Sequence, residues 1–140
     1  MHSTLTTFNQ LNRLYQEQKK HWAAQLGLKL AQINILMTIE PHQEQIVHAK
    51  LIVLTKLDAS TLSRQLNTMT QEGLLTKVPG TDPRQRVYAL TPAAKTACHA
   101  LEHLQTELEN HIQQNWSSEE QQFLKILLNR YYQSFNRLLK

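Results

Sequence analysis

Apolar residues recur along this chain at helical spacing from one end almost to the other. Leu5, Phe8, Leu11, Tyr15 and Trp22 fall at intervals of three, four and seven with polar residues between them, which predicts an amphipathic helix over 5–26 ending near Gly27. The next run, LAQINILMTIE, is dense enough in apolar residues to predict a helix buried on most sides and stopped by Pro41. HQEQIV then predicts a polar turn with a brief β-like tail, and HAKLIVLTKL a short buried helix.

The most legible segment is DASTLSRQLNTMTQEGLL. Asp58 is placed to cap a helix, and Gly73 suits the left-handed position after its last turn. Leu62, Leu66 and Met69 share one face at i, i+4 and i+7. Ser60, Arg64, Asn67 and Gln71 therefore lie on the opposite face, with Ser63 and Thr68 on its flanks. LLTKVPG reads as a strand entering a turn, TDPRQR as the tip and VYAL as the returning strand, so a hairpin with a long tip follows the helix. Thr91-Pro92 is a cap followed by proline at the first helical position, opening a long helix through Leu101, Leu104, Leu108 and Ile112. Ser117 and Glu120 have capping-box spacing and start a last helix rich in Leu, Tyr and Phe.

The predicted fold is mainly α with a small β-hairpin: a winged helix-turn-helix flanked by N- and C-terminal helices. The 140 residues read as a single subunit, with about 30–95 as the winged-helix part and 1–29 and 96–140 as dimerisation helices. The apolar stripes of the terminal helices, Leu5/Phe8/Leu11 and Leu124/Leu127/Tyr131/Leu138, need a partner surface. Packing them on each other and on a second copy would supply it. Three glycines and four prolines agree with long helices and few loops.

Charge adds a direction to this picture. The net charge of +4 favours polyanionic partners only mildly, but it is unevenly placed. Residues 50–95 hold seven basic side chains against three acidic ones, while the segments on either side nearly cancel. The single cysteine, Cys98, excludes an internal disulfide framework and suits a reducing cytoplasm. The first twenty residues lack the apolar core of a signal peptide, and no apolar run approaches membrane-spanning length. A cytoplasmic protein with no membrane association is expected. No Ser/His/Asp or Cys/His arrangement or phosphate-cradling glycine loop occurs at a plausible spacing, so no catalytic residues, cofactor or enzyme activity are expected.

The face of Ser60, Arg64, Asn67 and Gln71 carries neither apolar nor acidic groups. Arg and Asn make paired hydrogen bonds to purine edges, and Ser and Thr bind phosphates or sit near bases without bulk. An ordinary solvated face would look similar, but the hairpin at the right distance favours recognition of double-stranded DNA. At the tip, Arg84 and Arg86 have no apolar anchor beside them, which suits either a solubilising loop or a wing entering the minor groove. Asp82, two residues before Arg84, is placed to hold its guanidinium through a paired interaction.

With these residues in view, the chain resembles the MarR family of winged-helix transcriptional regulators along essentially its whole length. The carrying features are Asp82-Pro83-Arg84 and the second basic position Arg86, the passage into Leu90-Thr91-Pro92, and Ser60-Thr61-Leu62-Ser63-Arg64-Gln65-Leu66 with Gly73-Leu74 upstream. The resemblance implies a homodimer that binds a pseudo-palindromic operator and represses transcription until a small-molecule effector, often phenolic or anionic, releases it. It implies Arg84 as the minor-groove arginine with Asp82 as its support and Arg86 beside it. Ser60, Thr61, Ser63, Arg64, Asn67 and Thr68 would face the major groove or flanking phosphates.

The chain departs from the family in Ala94, where glycine is usual, in Lys50 at an often acidic position, and in the strongly apolar LIVLTKL. The oxidation-sensing branch has its cysteine in the first helix, whereas Cys98 lies in the long helix and reads as a buried, inert thiol. His99, His103, Glu107 and His111 step by four along that helix, a ladder that can supply metal ligands or be an ordinary polar face. Zinc-sensing members carry a Glu-His pair where this chain has Ile33-Asn34, so no metal is expected. Tyr15, His21 and Trp22 read either as dimer core or as the lining of an aromatic effector pocket. The competing whole-protein reading is a metal- or ligand-binding sensor module that acts through protein partners with little DNA affinity.

Overall fold

The computed structural model describes residues 1–42 and 44–140; Gln43, within the polar turn read at 42–47, lies outside the described residues. The described chain divides into two compact units, Met1–His103 and Leu104–Lys140.

The first unit opens with α1 (Thr4–Leu26), capped by Ser3, whose hydroxyl accepts from the Thr6 N–H at 3.2 Å. Gly27 closes it with φ of 69°, a left-handed conformation that a residue without Cβ takes at little cost. In α2 (Leu30–Ile39) the residues Ile33, Ile35, Leu36 and Ile39 are all buried, as the dense apolar run predicts. Pro41 sits two residues beyond the helix end, inside a short 3-10 turn over Glu40–His42 that takes over from the α-helix.

Strand β1 (Gln45–Val47) leads directly into α3 (His48–Thr55). The expectation of a buried helix at 48–57 is corrected here. The helix stops at Thr55, with Lys56 in the left-handed region at φ 57°, and only His48 and Leu51 are buried. Val53 and Leu54 are 70% and 43% exposed. With about two turns, α3 turns only one narrow side to the core, where Leu51 is buried and the half-buried Ile52 packs against it, while Val53 and Leu54 fall outside that side.

Helix α4 (Ala59–Gln71) and strands β2 (Leu75–Val78) and β3 (Val87–Leu90) follow where the pattern predicts them. β3 pairs antiparallel with β2 on one side and β1 on the other, giving the sheet order β1-β3-β2. Leu62, Leu66 and Met69 from α4 join Ile35, Leu36, Leu51, Tyr88, Leu90 and Ala94 in one buried cluster. Helix α5 (Pro92–Ile112) begins in this unit, with the Thr91 hydroxyl accepting from the Ala94 N–H at 3.2 Å.

The second unit holds the last turns of α5 and α6 (Ser118–Leu138). The Ser117–Glu120 capping box forms as read, with Ser117 Oγ accepting from the Glu120 N–H at 3.1 Å and Glu120 Oε1 from the Ser117 N–H at 2.9 Å. No residue of this unit is buried. Among the described residues, no helix is long and apolar enough to cross a membrane.

Candidate nucleic-acid interface

The rotation of α4 is fixed from beneath. Leu62, Leu66 and Met69 are each 0% exposed, so Ser60, Arg64, Asn67 and Gln71 are turned outward and all four are exposed. Ser63 and Thr68 are half-buried at the flanks. The helix start is fixed by Asp58, which accepts from the Thr61 N–H and the Thr61 hydroxyl, both at 2.8 Å. These two bonds, the backbone one foremost, hold the Asp58 carboxyl below its ordinary pKa of 3.8. Thr61 is therefore part of the cap, and its Oγ1 also accepts from Arg64 Nη2 at 3.4 Å.

The far end of α4 is tied to α2. Gln32, 2% exposed, donates through Nε2 to Glu72 Oε2 at 2.6 Å while its Oε1 accepts from the Lys29 N–H at 2.9 Å. Gly73, at φ 80°, turns the chain so that the Leu74 N–H reaches the Met69 carbonyl at 2.9 Å.

The hairpin tip carries the basic residues into solvent. Asp82 Oδ1 accepts from the Arg84 N–H at 2.9 Å and meets Arg84 Nε at 3.5 Å, and the Gln85 N–H reaches the Asp82 carbonyl at 3.0 Å. The carboxylate thus shapes the turn more firmly than it grips the guanidinium, which it touches at a single atom. Arg84's side chain is 92% exposed. Arg86 is also exposed, and its carbonyl accepts from the His48 N–H at 2.8 Å, which anchors the foot of the tip to the start of α3. The outward residues of α4 and the base of the hairpin rest on one core, since Leu62, Leu66 and Met69 pack in the same cluster as Tyr88 and Leu90.

A cavity of about 400 Å³ opens between α1, α2 and the end of α3. Its lining is mostly apolar, with Ile35, Met37, Leu54 and Leu57 among its walls, and Lys19, Asn34, Thr38 and Thr55 supply the polar groups. Lys19 is buried, at 8% exposure, and burial lowers its pKa below the ordinary 10.5. Its Nζ donates to Asn34 Oδ1 at 3.0 Å and lies 4.2 Å from the centre of the Tyr15 ring, with no carboxylate paired to it among the described residues.

None of Tyr15, His21 and Trp22 lines this cavity. Trp22, 3% exposed, is already buried within its own unit against the edge of Tyr15, which corrects its reading as dimer core, and His21 is exposed. The signal for Lys19 lay in the sequence: it stands four residues after Tyr15 and three before Trp22, on the apolar stripe of α1. Cys98 is buried, and burial, aided by Glu40 and Glu44, pushes its thiol up to about 11. Among the described residues, no three His, Cys, Asp or Glu side chains converge to hold a metal, the His99–His111 ladder included.

No protein-family model and no curated protein matches the sequence. The architecture does recur among solved structures. Wild-type MarR from E. coli in its apo form superposes with a TM-score of 0.78 at 20% identity, covering 94% of this chain and 97% of that one. A mutant MepR from a multidrug-resistant S. aureus clinical isolate gives 0.80 at 18% identity, covering 96% and 99%. A mutant E. coli MarR complexed with operator DNA gives 0.71 at 20% identity, covering 90% and 91%. At this level of identity the likeness establishes a shared winged-helix fold.

Proposed function

We propose that the protein is a transcriptional regulator of the MarR type, a homodimer that binds a pseudo-palindromic operator in double-stranded DNA. The observation that carries this reading is the pairing, on one core, of an α4 face free of acidic groups with an arginine-tipped hairpin. It is supported by the operator DNA bound to a MarR of the same fold. In this reading Ser60, Ser63, Arg64, Asn67 and Thr68 meet base edges and phosphates of the major groove, Thr61 completes the cap that holds them, and Arg84 enters the minor groove with Arg86 on the adjoining backbone. Asp82 sets the course of the tip. The exposed apolar faces of α1 and α6 form the dimer contact.

The cavity beside Lys19 is the candidate effector site. A buried ammonium without a carboxylate partner is costly, and a small anion with an apolar body would supply the missing charge. Repression relieved by such a ligand follows as the mode of action, with no catalysis involved.

Fluorescence anisotropy on the duplex immediately upstream of the gene, beside random duplex and at two salt concentrations, tests the reading. Tight, salt-sensitive, Arg84-dependent preference for the upstream duplex is expected. Weak, equal, salt-insensitive binding to every genomic fragment tried would sink it and leave the protein-partner sensor in its place.

A further inference from the structure

His48 joins three things that no sequence motif brings together. It is the first residue of α3, it directly follows β1, and its N–H is bonded to the Arg86 carbonyl at the foot of the hairpin tip, at 2.8 Å. Its side chain is 6% exposed and lies against Tyr88 of β3, with ring centres 5.9 Å apart. The buried Nδ1 has no hydrogen-bond partner among the described residues.

The surroundings suit a neutral ring and no other. The charged group that acts on this ring is basic, Arg86 at the foot of the tip, and the other charged side chains of α3 and the sheet, Lys50 and Lys77, are basic and exposed. Helix α2 and strand β1 carry no titratable side chain, and Glu44, which adjoins β1, is engaged with Lys95 at 2.8 Å. The amino end of a helix also opposes a positive charge. Burial first and Arg86 second accordingly press the imidazole below its ordinary pKa of 6.5. A protonated ring would present two N–H donors to a site that has no acceptor for them on Nδ1.

We propose that protonation of His48 opens the junction between α3 and β3 and releases the hairpin from the position in which it reaches DNA, so that His48 is a built-in acid switch. The imidazolium gains water only by leaving Tyr88. Its departure takes with it the start of α3 and the bond that ties α3 to Arg86. The consequence for DNA rests on the function proposed above; the opening itself does not.

The test follows hydrogen exchange of the segments 45–50 and 86–90 from pH 7.5 to 5, corrected for intrinsic rates, alongside the NMR titration of the His48 imidazole. Wild type should lose protection by up to about tenfold per pH unit as pH falls from the ordinary imidazole pKa of 6.5 toward the ring's own midpoint in that titration, which should lie under 6.5, and should level off below it. His48→Gln should stay flat. Arg86→Gln, altered only at an exposed side chain, should move the midpoint upward, which keeps the idea open to refutation should His48→Gln fail to fold. Anisotropy on the upstream duplex should show wild type losing affinity relative to His48→Gln over the same range. Exchange that is independent of pH in wild type, or equally dependent in His48→Gln, overturns the switch. Opening without duplex binding at any pH upholds the switch and overturns the DNA reading instead. Opening accompanied by binding that ignores pH overturns the link to the hairpin.

Discussion

Arg84 holds its guanidinium almost wholly in solvent, met by Asp82 at one atom 3.5 Å away. An exposed pair of that geometry adds little to stability, so Arg84→Ala should leave the thermal midpoint where it is while weakening operator binding by about tenfold, the cost of one good charged contact. Asp82 has two separable duties. Its 2.9 Å bond to the Arg84 N–H shapes the turn, and its charge attracts the guanidinium. Asp82→Asn keeps an acceptor for the first and loses the second. Affinity retained in Asp82→Asn and lost in Asp82→Ala would assign Asp82 to the turn; equal loss in both would assign it to the charge. Cys98 gives a prediction of another kind. With its thiol pushed up to about 11, it has almost no thiolate at pH 8, where a free cysteine is partly ionised. Alkylation of the native protein by iodoacetamide should therefore proceed far more slowly than in denaturant. Native and denatured rates that match would contradict the buried position.

Among the elements, α4 and the hairpin were legible because each is a repeat of one rule. Leu62, Leu66 and Met69 at helical spacing fix which side faces out, and Asp58 and Gly73 mark the ends. α3 misled because its run Leu51–Leu54 is apolar on every side, yet two turns bury only His48 and Leu51 and leave Val53 and Leu54 exposed, so hydrophobicity overstated burial. The third strand β1 showed only as a β-like tail, because its three residues are held by pairing with β3, which lies some forty residues away. The cavity was invisible as such. It depends on how α1, α2 and the end of α3 meet, although Lys19 on an apolar stripe was its trace. An aromatic carboxylate such as benzoate should raise the melting temperature, by an amount equivalent to about 1.4 kcal/mol at ten times its dissociation constant. Benzamide, of the same shape without the charge, should not. Lys19→Met should abolish the difference, and binding should weaken as pH climbs past the lowered pKa of Lys19. A benzoate effect that survives in Lys19→Met would place the ligand elsewhere.

At the scale of the molecule, the question is what covers the apolar faces that each unit leaves open. Leu5, Leu11 and Leu14 of α1 are 51%, 52% and 69% exposed, and Phe123, Ile126 and Leu127 of α6 are 59%, 52% and 59% exposed. The second unit has no buried residue to hold it by itself, and contiguous apolar surface of this kind marks an interface. Under the function proposed above, a second copy is the partner that a two-fold operator would require. Sedimentation should therefore find a dimer at micromolar concentration. Phe123→Glu combined with Leu127→Glu should give monomers whose first unit keeps its helicity, since neither side chain belongs to its core cluster. The consequence for DNA can be read from salt. In the proposed reading a dimer would lay two α4 faces and two arginine tips along one duplex, so the slope of log affinity against log salt should be about twice that of the monomeric variant, each neutralised phosphate adding about 0.9 to it. Equal slopes would mean that one subunit alone touches DNA. A dimer whose binding ignores salt altogether would mean that the basic middle segment is not facing phosphates, and the function would have to be sought among protein partners.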